Sequence, residues 1–408
     1  MSSVARVQGI FTSRSFSLFY AGQALSYVGD GLRTLAIPLL VYHLTGSAIS
    51  LGVTYALEFL PFALFGPIGG ALADRLDRRR LMLLCDFVRF SVILLFAIAY
   101  ARGALSLPWL YAGIALIATC AAFFVGGQSP SIPYLLGKER AAPAVAALIA
   151  AEQGANLIVP PVGGALFALV GPLPALAINA FTYLTSQLSL YALPTLGPDI
   201  PGAMPSLREL VADVSEGFRI VLADDAMRAV AMLSGALNFF GIMAFAAIIP
   251  FLERDLGATT TQVGLSFGVI AAGSMVGSLV AGRYGMRWPF GKALIIAYAV
   301  DAFIFLPVVF AHELWFGVAF FALASACGSF EIAQIVAWRM RVAPEDKVGR
   351  VSAAVRLIAL IGLVPGTLIG GSIAQLYGAR DAMIVSAIGW TIAALYAAAI
   401  KALRRETR

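Results

Sequence analysis

The sequence is poor in charged residues and rich in apolar ones. Charged residues make up 12% of the 408 positions, hydrophobic residues make up 60%, and the mean hydropathy is +0.89. About a quarter of the residues of a typical soluble domain are charged. So much apolar surface cannot be enclosed in a water-soluble globule of this length, so we expect most of it to face lipid.

Residues that carry chemistry in enzymes are scarce as well. Neither an HExxH zinc motif nor a phosphate-cradling Walker loop occurs, and the only histidines are His43 and His312. The three cysteines lie in apolar stretches without metal-ligand spacing. Gly264–Gly268 matches the GxSxG pattern of serine hydrolases, but it lies inside a predicted membrane helix instead of a strand–turn–helix unit. We therefore expect no enzyme activity, no metal and no cofactor.

Long apolar stretches recur along the whole chain. A helix needs roughly 20 apolar residues to cross the hydrocarbon core. Twelve stretches qualify, which predicts an all-α membrane protein of twelve transmembrane helices. Their approximate limits are 15–43, 47–73, 80–101, 107–135, 143–170, 173–194, 228–252, 261–282, 291–311, 314–338, 349–375 and 380–400.

Basic residues predict the orientation of these spans. If the amino terminus is cytoplasmic, most of the 28 lysines and arginines fall in cytoplasmic loops, and only Arg102, Arg254 and Arg380 lie outside. Cytoplasmic loops carry such an excess. An even number of spans then places both termini in the cytoplasm.

The chain divides into two similar halves. A proline-rich polar stretch followed by an amphipathic segment predicts a cytoplasmic linker over 195–227, between six-helix bundles at 1–194 and 228–408. Gly163-Gly164 recurs as Gly370-Gly371, and Gly69 recurs as Gly277, at offsets of 207 and 208 residues. Six spans per half give the two repeats the same orientation, as in transporters that bind substrate between parallel repeats.

The loop after the second span resembles the signature of the major facilitator superfamily. Gly70 begins the sequence Gly-Ala-Leu-Ala-Asp-Arg-Leu-Asp-Arg-Arg-Arg, which departs from the pattern at Asp77, where the family often has glycine. Gly29-Asp30, Pro38–Tyr42 and Leu44–Ser47 resemble the branch that contains macrolide-efflux and enterobactin-exporter-like proteins. The resemblance implies two pseudo-symmetric six-helix bundles and a protein that works as a monomer.

The charges of this loop predict a cytoplasmic latch. A carboxylate at a helix end that faces several arginines can hold neighbouring helix ends together by charge-assisted hydrogen bonds. The alternative is that the arginines only anchor the loop to lipid headgroups. The predicted latch comprises Gly70, Asp74, Arg75, Arg78, Arg79, Asp86 and Arg89.

The fifth span contains a motif similar to the antiporter signature of drug/proton exporters. Its residues are Pro160, Pro161, Gly163 and Gly164, although Pro160 stands where the family usually has glycine and the spacing to the glycine pair is one residue shorter. Such a motif predicts a kinked helix in close contact with a neighbour. Packing alone is the alternative explanation.

Ionisable residues inside spans are candidates for function because they are costly in lipid. Asp30 and Arg33 share one face of the first span, and Glu58 lies mid-way along the second. We expect the three to border a central cavity, with Glu58 either carrying protons or pairing with Arg33 as a structural lock. Asp301 and Asn238 are mid-span in the carboxyl half and are candidates for substrate contact.

A further polar set lies in the cytoplasmic halves of the spans. It predicts an inner gate that pairs across the halves, or else simple helix–helix contacts, and it comprises Glu152, Asn156, Glu331, Gln334 and Arg356.

These features predict a secondary transporter in a bacterial-type inner membrane. The leading interpretation is proton-coupled export of small amphipathic or cationic compounds by alternating access, with the substrate, protons and lipid as partners. The alternatives are a dedicated exporter of a metabolite such as a siderophore, or a lipid flippase. A non-transporting receptor is disfavoured because no soluble segment is long enough for a signalling domain. Nucleic acid is not an expected partner, because the positive net charge of +6 is explained by the loops.

Overall fold

The chain folds almost entirely into α-helices. The computed structural model describes residues 9–73, 75–197, 207–285, 288–342 and 348–405. Short helical turns lie at Lys138–Arg140, Ile248–Pro250, Phe251–Asp255 and Lys401–Arg405, the third of them a π-turn. The long helices are α1 Arg14–Thr45, α2 Ala48–Ala73, α3 Arg78–Ala101, α4 Leu107–Leu136, α5 Ala141–Val170, α6 Pro172–Tyr191, α7 Leu207–Ala223, α8 Asp225–Ala246, α9 Thr260–Tyr284, α10 Phe290–Val309, α11 Leu314–Val342, α12 Val348–Leu376 and α13 Ala379–Ala399.

Most of these helices are suited to a membrane. Within the described residues, eleven are long and apolar enough to cross a bilayer. Many large apolar side chains on them are exposed, among them Leu84, Phe181 and Phe303. Exposed apolar side chains at this density would be unfavourable in water and are favourable against lipid tails.

The predicted span 173–194 is a helix, α6, but it is not among the eleven. Gly171, with φ +77°, ends α5 and separates it from α6. The interior of α6 carries several polar side chains, which lower its hydropathy. These face inward, because Asn179, Thr182, Ser186 and Gln187 are all buried. The count of twelve spans therefore stays a prediction, and α6 is the helix on which it depends.

Helices of the described chain group into two units by their contacts. Unit 1 comprises Met1–Val41 and Leu57–Pro205, and unit 2 comprises Tyr42–Ala56 and Ser206–Arg408. In unit 1, α3 packs against α4 and α6; in unit 2, α11 packs against α9 and α10, and α12 packs against α8. Helix α7 occupies the stretch for which the sequence predicts a surface helix, and it packs against α12 and α8.

The sequence repeat has a counterpart in helix packing. A Cβ atom on Gly69 of α2 would crowd the carbonyl oxygen of Ala122 in α4. A Cβ atom on Gly277 of α9 would likewise clash with the carbonyl oxygen of Ala326 in α11. The two aligned glycines thus let equivalent helix pairs approach closely in each unit.

The outer turns of α1 and α2 belong to unit 2, which the sequence does not predict. The amide of Ala48 donates to Gln375 Oε1 at 2.7 Å, and Arg254 Nη2 donates to the carbonyl oxygen of Gly46 at 2.8 Å. His43 Nε2 lies 3.2 Å from Glu253 Oε1. These contacts attach the α1–α2 connection to the π-turn Phe251–Asp255 and to the end of α12.

Candidate functional site

Polar side chains in unit 1 begin along one face of α1. Gln23, Tyr27, Asp30 and Arg33 are spaced by three or four residues, so they share a face of the helix. Helix α6 lies close to this region because α1 has Gly29 opposite Thr182, where a Cβ atom would overlap the threonine hydroxyl. The glycine therefore brings the polar residues of α6 within hydrogen-bonding distance of α1.

Arg33 is the centre of an ion-paired cluster. Its Nη1 donates to Glu58 Oε1 of α2 at 2.6 Å, and its Nε lies 3.5 Å from Asp30 Oδ1. Asp30 also accepts a hydrogen bond from the hydroxyl of Tyr183 on α6. The pairing of Arg33 with Glu58 considered from the sequence is therefore present. The Arg33 and Glu58 side chains are 12% and 15% exposed, against 30% for Asp30, so Asp30 is the most accessible member.

A second ion pair lies deeper in unit 1. Asp86 and Arg89 of α3 pair with each other, and Asp86 Oδ2 accepts from Ser186 Oγ at 2.7 Å. The Arg89 guanidinium lies 4.4 Å from the ring centre of Phe124 and 4.8 Å from that of Tyr183. The side chains of Asp86 and Arg89 are 0% and 5% exposed. The structure thus places these two predicted latch residues in the bundle interior.

Neutral polar groups join the two ion pairs. Gln23 Nε2 donates to Ser186 Oγ at 3.1 Å, and Gln128 Nε2 donates to Gln23 Oε1 at 2.7 Å and to the Tyr27 hydroxyl at 2.9 Å. Tyr183 contacts both Asp30 and Arg89. A continuous polar network, named here the unit 1 network, therefore runs from Glu58 to Asp86. Its residues are Gln23, Tyr27, Asp30, Arg33, Glu58, Asp86, Arg89, Gln128, Tyr183 and Ser186.

The sequence analysis did not identify five members of this network: Gln23, Tyr27, Gln128, Tyr183 and Ser186. They are uncharged, so the search for ionisable groups in spans does not find them. A usable signal was the spacing of Tyr183 and Ser186, three residues apart on a helix of otherwise apolar character. The same polar side chains give α6 a lower hydropathy than the other spans have.

The loop between α2 and α3 is attached to the end of α6. Arg79 donates from Nε to the carbonyl oxygen of Leu190 at 2.9 Å and from Nη2 to that of Tyr191 at 2.7 Å. These are terminal carbonyls of a helix, which need partners. Arg78 is 6% exposed and lies 4.9 Å from the ring centre of Tyr134. Asp74, the predicted centre of the latch, lies outside the described residues.

Asp77, the departure from the family pattern, has a defined role. Its Oδ1 accepts from the amide of Arg79 at 3.1 Å, which caps the amino terminus of α3. The same oxygen accepts from the amide of Leu196 at 3.0 Å. Of the other latch residues, Gly70 is at the end of α2 with open space beside it, and Arg75 lies in the turn that follows.

The antiporter-like motif of α5 faces α1. A Cβ atom on Gly163 would meet Leu32 at 3.0 Å, and one on Gly31 would meet Val159 at the same distance. Pro160 and Gly164 are buried, and Pro161 is half-buried. The motif therefore supports a close α1–α5 contact at Gly31 and Leu32, which lie between Asp30 and Arg33 in the sequence.

The predicted inner-gate residues have very different surroundings. Glu152 and Asn156 are exposed on α5. Glu331 and Gln334 are buried on α11, and Gln334 Nε2 lies 3.5 Å from the carbonyl oxygen of Ala281. Arg356 lies in α12, and its side chain is outside the described part of the structure.

Unit 2 has a cavity that contains the two remaining predicted residues. Asp301 of α10 and Asn238 of α8 line a space of about 250 Å³ with several aromatic rings. Asn238 Nδ2 donates to the carbonyl oxygen of Ser234 at 2.8 Å, whereas Asp301 Oδ1 has no hydrogen-bond partner within the described residues. The described residues contain no cluster of three or more histidine, cysteine or acidic side chains that could hold a metal ion.

Comparison with known proteins places these features in a family. A sequence profile of the family described as transmembrane secretion effector matches residues 9–407. Macrolide efflux protein A of Streptococcus pyogenes is 26% identical over 276 residues, 66% of each chain. A homologue of the multidrug resistance efflux pump PmrA from Lactococcus lactis is 24% identical over 90% of each chain. The enterobactin exporter EntS of Escherichia coli is 26% identical over 76% of this chain and 74% of its own.

Solved transporter structures share the fold. A bacterial homologue of the iron transporter ferroportin, in an inward-facing state, superposes with a TM-score of 0.75 at 15% identity, covering 96% of this chain and 99% of the other. A bacterial homologue of the human lysosomal transporter Spinster gives 0.73 at 16% identity, covering 100% and 98%. The predicted all-helical major facilitator fold is therefore confirmed.

Proposed function

This chain belongs to the transmembrane secretion effector family of major facilitator transporters, and we propose from that premise that it exports small amphipathic or cationic organic compounds in exchange for protons. The matched macrolide and multidrug efflux proteins support export of drug-like compounds. The bacterial origin of these relatives supports a plasma-membrane location. We further propose twelve spans with both termini in the cytoplasm, alternating access, and function as a monomer.

The observation that carries proton coupling is the Glu58–Arg33–Asp30 cluster. An ion pair in a membrane is stable only while both partners stay charged. A proton on Glu58 removes its charge and therefore weakens the 2.6 Å contact with Arg33. Arg33 then retains Asp30, at 3.5 Å, as its acidic neighbour. In this proposal Glu58 is both the proton carrier and a partner in the structural lock, because protonation of Glu58 breaks its ion pair with Arg33.

A second candidate function is export of one anionic metabolite such as a siderophore. The similarity to an enterobactin exporter favours it. An anionic substrate requires an accessible arginine, yet Arg33 is ion-paired and mostly buried, and Arg89 is enclosed by Asp86 and two aromatic rings. These surroundings favour the cationic substrate class. A lipid flippase stays a third alternative, without a supporting contact in the described residues.

Everted membrane vesicles test the proposal. Respiration acidifies their interior, a pH-sensitive dye reports proton release, and lipophilic cations, macrolides and a catechol siderophore are added in turn. We expect cations to trigger proton release, and Glu58→Gln to abolish it while leaving substrate–substrate exchange intact. Glu139→Gln, at an exposed loop acid, is the matched control and should behave as the wild type. A response to the siderophore alone would support the dedicated exporter, and normal cation-driven proton release by Glu58→Gln would contradict the role of Glu58.

A further inference from the structure

Two acidic side chains in unit 2 are buried, and the described residues supply neither of them with an ion-pair partner. Asp301 on α10 is 1% exposed and Glu331 on α11 is 0% exposed. Asp301 Oδ1 and both carboxylate oxygens of Glu331 have no hydrogen-bond partner within the described residues. A carboxylate in these surroundings is strongly disfavoured while it is ionised and unpaired. Within the described residues neither group has a base that would neutralise it, so each is a candidate to hold a proton or to bind an external cation.

The described groups on the neighbouring helices supply no such neutralising charge; the Arg356 side chain on α12 lies outside the described part of the structure. Tyr298 donates its hydroxyl hydrogen to the carbonyl oxygen of Leu233 at 2.9 Å, and Cys327 is an uncharged thiol. The basic groups described on α8–α11, α13 and the short helix after α13 lie near helix ends, and several bind terminal carbonyls or acids there. These are Arg228, Arg283, Lys292, Arg339, Arg341, Arg380, Lys401 and Arg404.

The cavity beside Asp301 has walls that suit a cation. Phe245, Phe305, Phe321 and Trp390 line it, together with Asn238 and Asp301. The faces of aromatic rings attract positive charge, most strongly where water is excluded. One buried acid in a largely apolar space selects a molecule with a single positive charge and an apolar body.

We propose that this cavity binds the charged group of a lipophilic monovalent organic cation, and that the cation displaces a proton held on Asp301 or Glu331. One positive charge enters and one leaves, so the net charge buried in unit 2 does not change. The proposal rests on the proposed function, because it identifies a second site for substrate and proton apart from the unit 1 network. In this proposal Asp301, which lines the cavity, contacts the cation, and Glu331, buried on the adjacent helix α11, is a second site for the proton.

Binding and proton release can be measured on the purified full-length protein in detergent. The probe is radiolabelled tetraphenylphosphonium, and a pH dye in weakly buffered solution reports released protons. We expect about one proton per bound cation. Asp301→Asn should weaken binding at least tenfold and abolish proton release, whereas Glu331→Gln should keep binding within about threefold and reduce proton release. Uncharged triphenylphosphine oxide should release none.

Asp225→Asn is the matched control. It removes an acid of the same unit that is 74% exposed and paired with Arg228, and both readouts should stay unchanged. Unchanged affinity and undiminished proton release in Asp301→Asn would overturn the proposal.

A measurement on the wild-type chain covers the case in which Asp301→Asn does not fold. Dicyclohexylcarbodiimide modifies protonated carboxyl groups in apolar surroundings, and peptide mass spectrometry identifies the modified residues. Modification of Asp301 or Glu331, with at least fivefold protection by tetraphenylphosphonium, is expected; modification that the cation does not slow would count against the site.

The outcomes separate this inference from the proposed function. Cation-driven proton release in vesicles that depends on Glu58 but not on Asp301 would remove the inference and leave the proposed function standing. Cation binding with proton release in detergent, without any proton flux in vesicles, would support the inference and contradict the proposed function.

Discussion

The two units accommodate acidic residues in opposite ways. In unit 1 every acid of the network has a described partner: Glu58 and Asp30 contact Arg33, and Asp86 contacts Arg89 and Ser186. In unit 2 Asp301 and Glu331 have no basic partner within the described residues. A paired acid holds helices together, whereas an unpaired buried acid costs stability and is kept for what it binds.

The sequence repeat shows that the two units also differ in where along the chain their acidic residues lie. At the offset of 208 residues, Asp30 corresponds to Asn238 and Glu58 corresponds to Ser266. The buried pair Asp86 and Arg89 corresponds to Leu294 and Ala297, which are both buried. At these positions unit 2 therefore has neutral residues, and its own buried acids lie elsewhere: Asp301 on α10, the helix that also carries Leu294 and Ala297, and Glu331 on α11. Among the described residues, the interior acids of unit 1 are thus ion-paired, whereas the buried Asp301 and Glu331 of unit 2 have no basic partner.

The largest expected effect comes from breaking the buried ion pair of unit 1. Asp86→Leu alone and Arg89→Met alone should each lower the free energy of unfolding by about 3–5 kcal/mol, because each leaves an unpaired charge in the bundle interior. The double variant Asp86→Leu/Arg89→Met makes this position apolar, as it is in unit 2, and should recover most of the loss. Unfolding in mixed micelles by titration with a denaturing detergent measures these differences.

The test is whether the effects of Asp86→Leu and Arg89→Met on the free energy of unfolding are additive. If the double variant is as unstable as the sum of the single variants, the ion pair is not the unit that stabilises α3, and the contacts with Ser186, Phe124 and Tyr183 act separately. Recovery of the free energy of unfolding in the double variant would show that unit 1 tolerates two apolar side chains at these positions, as unit 2 does.

A smaller effect of opposite sign is expected at Glu331. Glu331→Met keeps the side-chain volume and removes two buried oxygens without described partners, so the free energy of unfolding should rise by about 1–3 kcal/mol. Cation-coupled proton release should fall in the same variant, since stability and activity often oppose each other at functional sites. Glu313→Met, at the exposed start of α11, should change stability by no more than about 0.5 kcal/mol. A destabilisation by Glu331→Met would mean that the carboxyl group contributes a stabilising interaction and that the units are more alike than described.

Sequence reasoning reached the fold because length and hydropathy determine which segments can cross a bilayer. It also found Arg33 and Glu58, since charges in the middle of apolar spans are conspicuous. It did not find Tyr183 or Ser186, because a neutral polar residue in a span carries no charge, and the sequence therefore does not indicate which residue is its partner. Which acids stay unpaired depends on how helices are rotated against each other, and a single sequence does not contain that information.

The assignment of the outer turns of α1 and α2 to unit 2 was also beyond the sequence. The boundary inside two continuous helices, at Val41 and Ala56, has no composition shift that marks it. Two of the hydrogen bonds at this connection involve its backbone groups, the Ala48 amide and the Gly46 carbonyl. Side-chain patterns therefore cannot predict them.

The smallest expected effect compares two helix caps, one in each unit. Asp224 caps α8 by accepting from the amide of Met227 at 2.8 Å, and Asp77 caps α3 and in addition accepts from the amide of Leu196. Asp224→Ala should cost about 1 kcal/mol, as loss of a cap usually does. Asp77→Ala should cost about 0.5–1.5 kcal/mol more, because it also loses the hydrogen bond that holds the chain after α6. Detergent-titration unfolding of the two variants measures the difference, and equal losses would show that the Leu196 contact adds nothing.

At the offset of 208 residues, the position of Asp77 is occupied by Gly285, where a Cβ atom would clash with Gln334. The aspartate therefore fits this loop in unit 1, whereas a side chain at its counterpart in unit 2 would have to displace the amide group of Gln334.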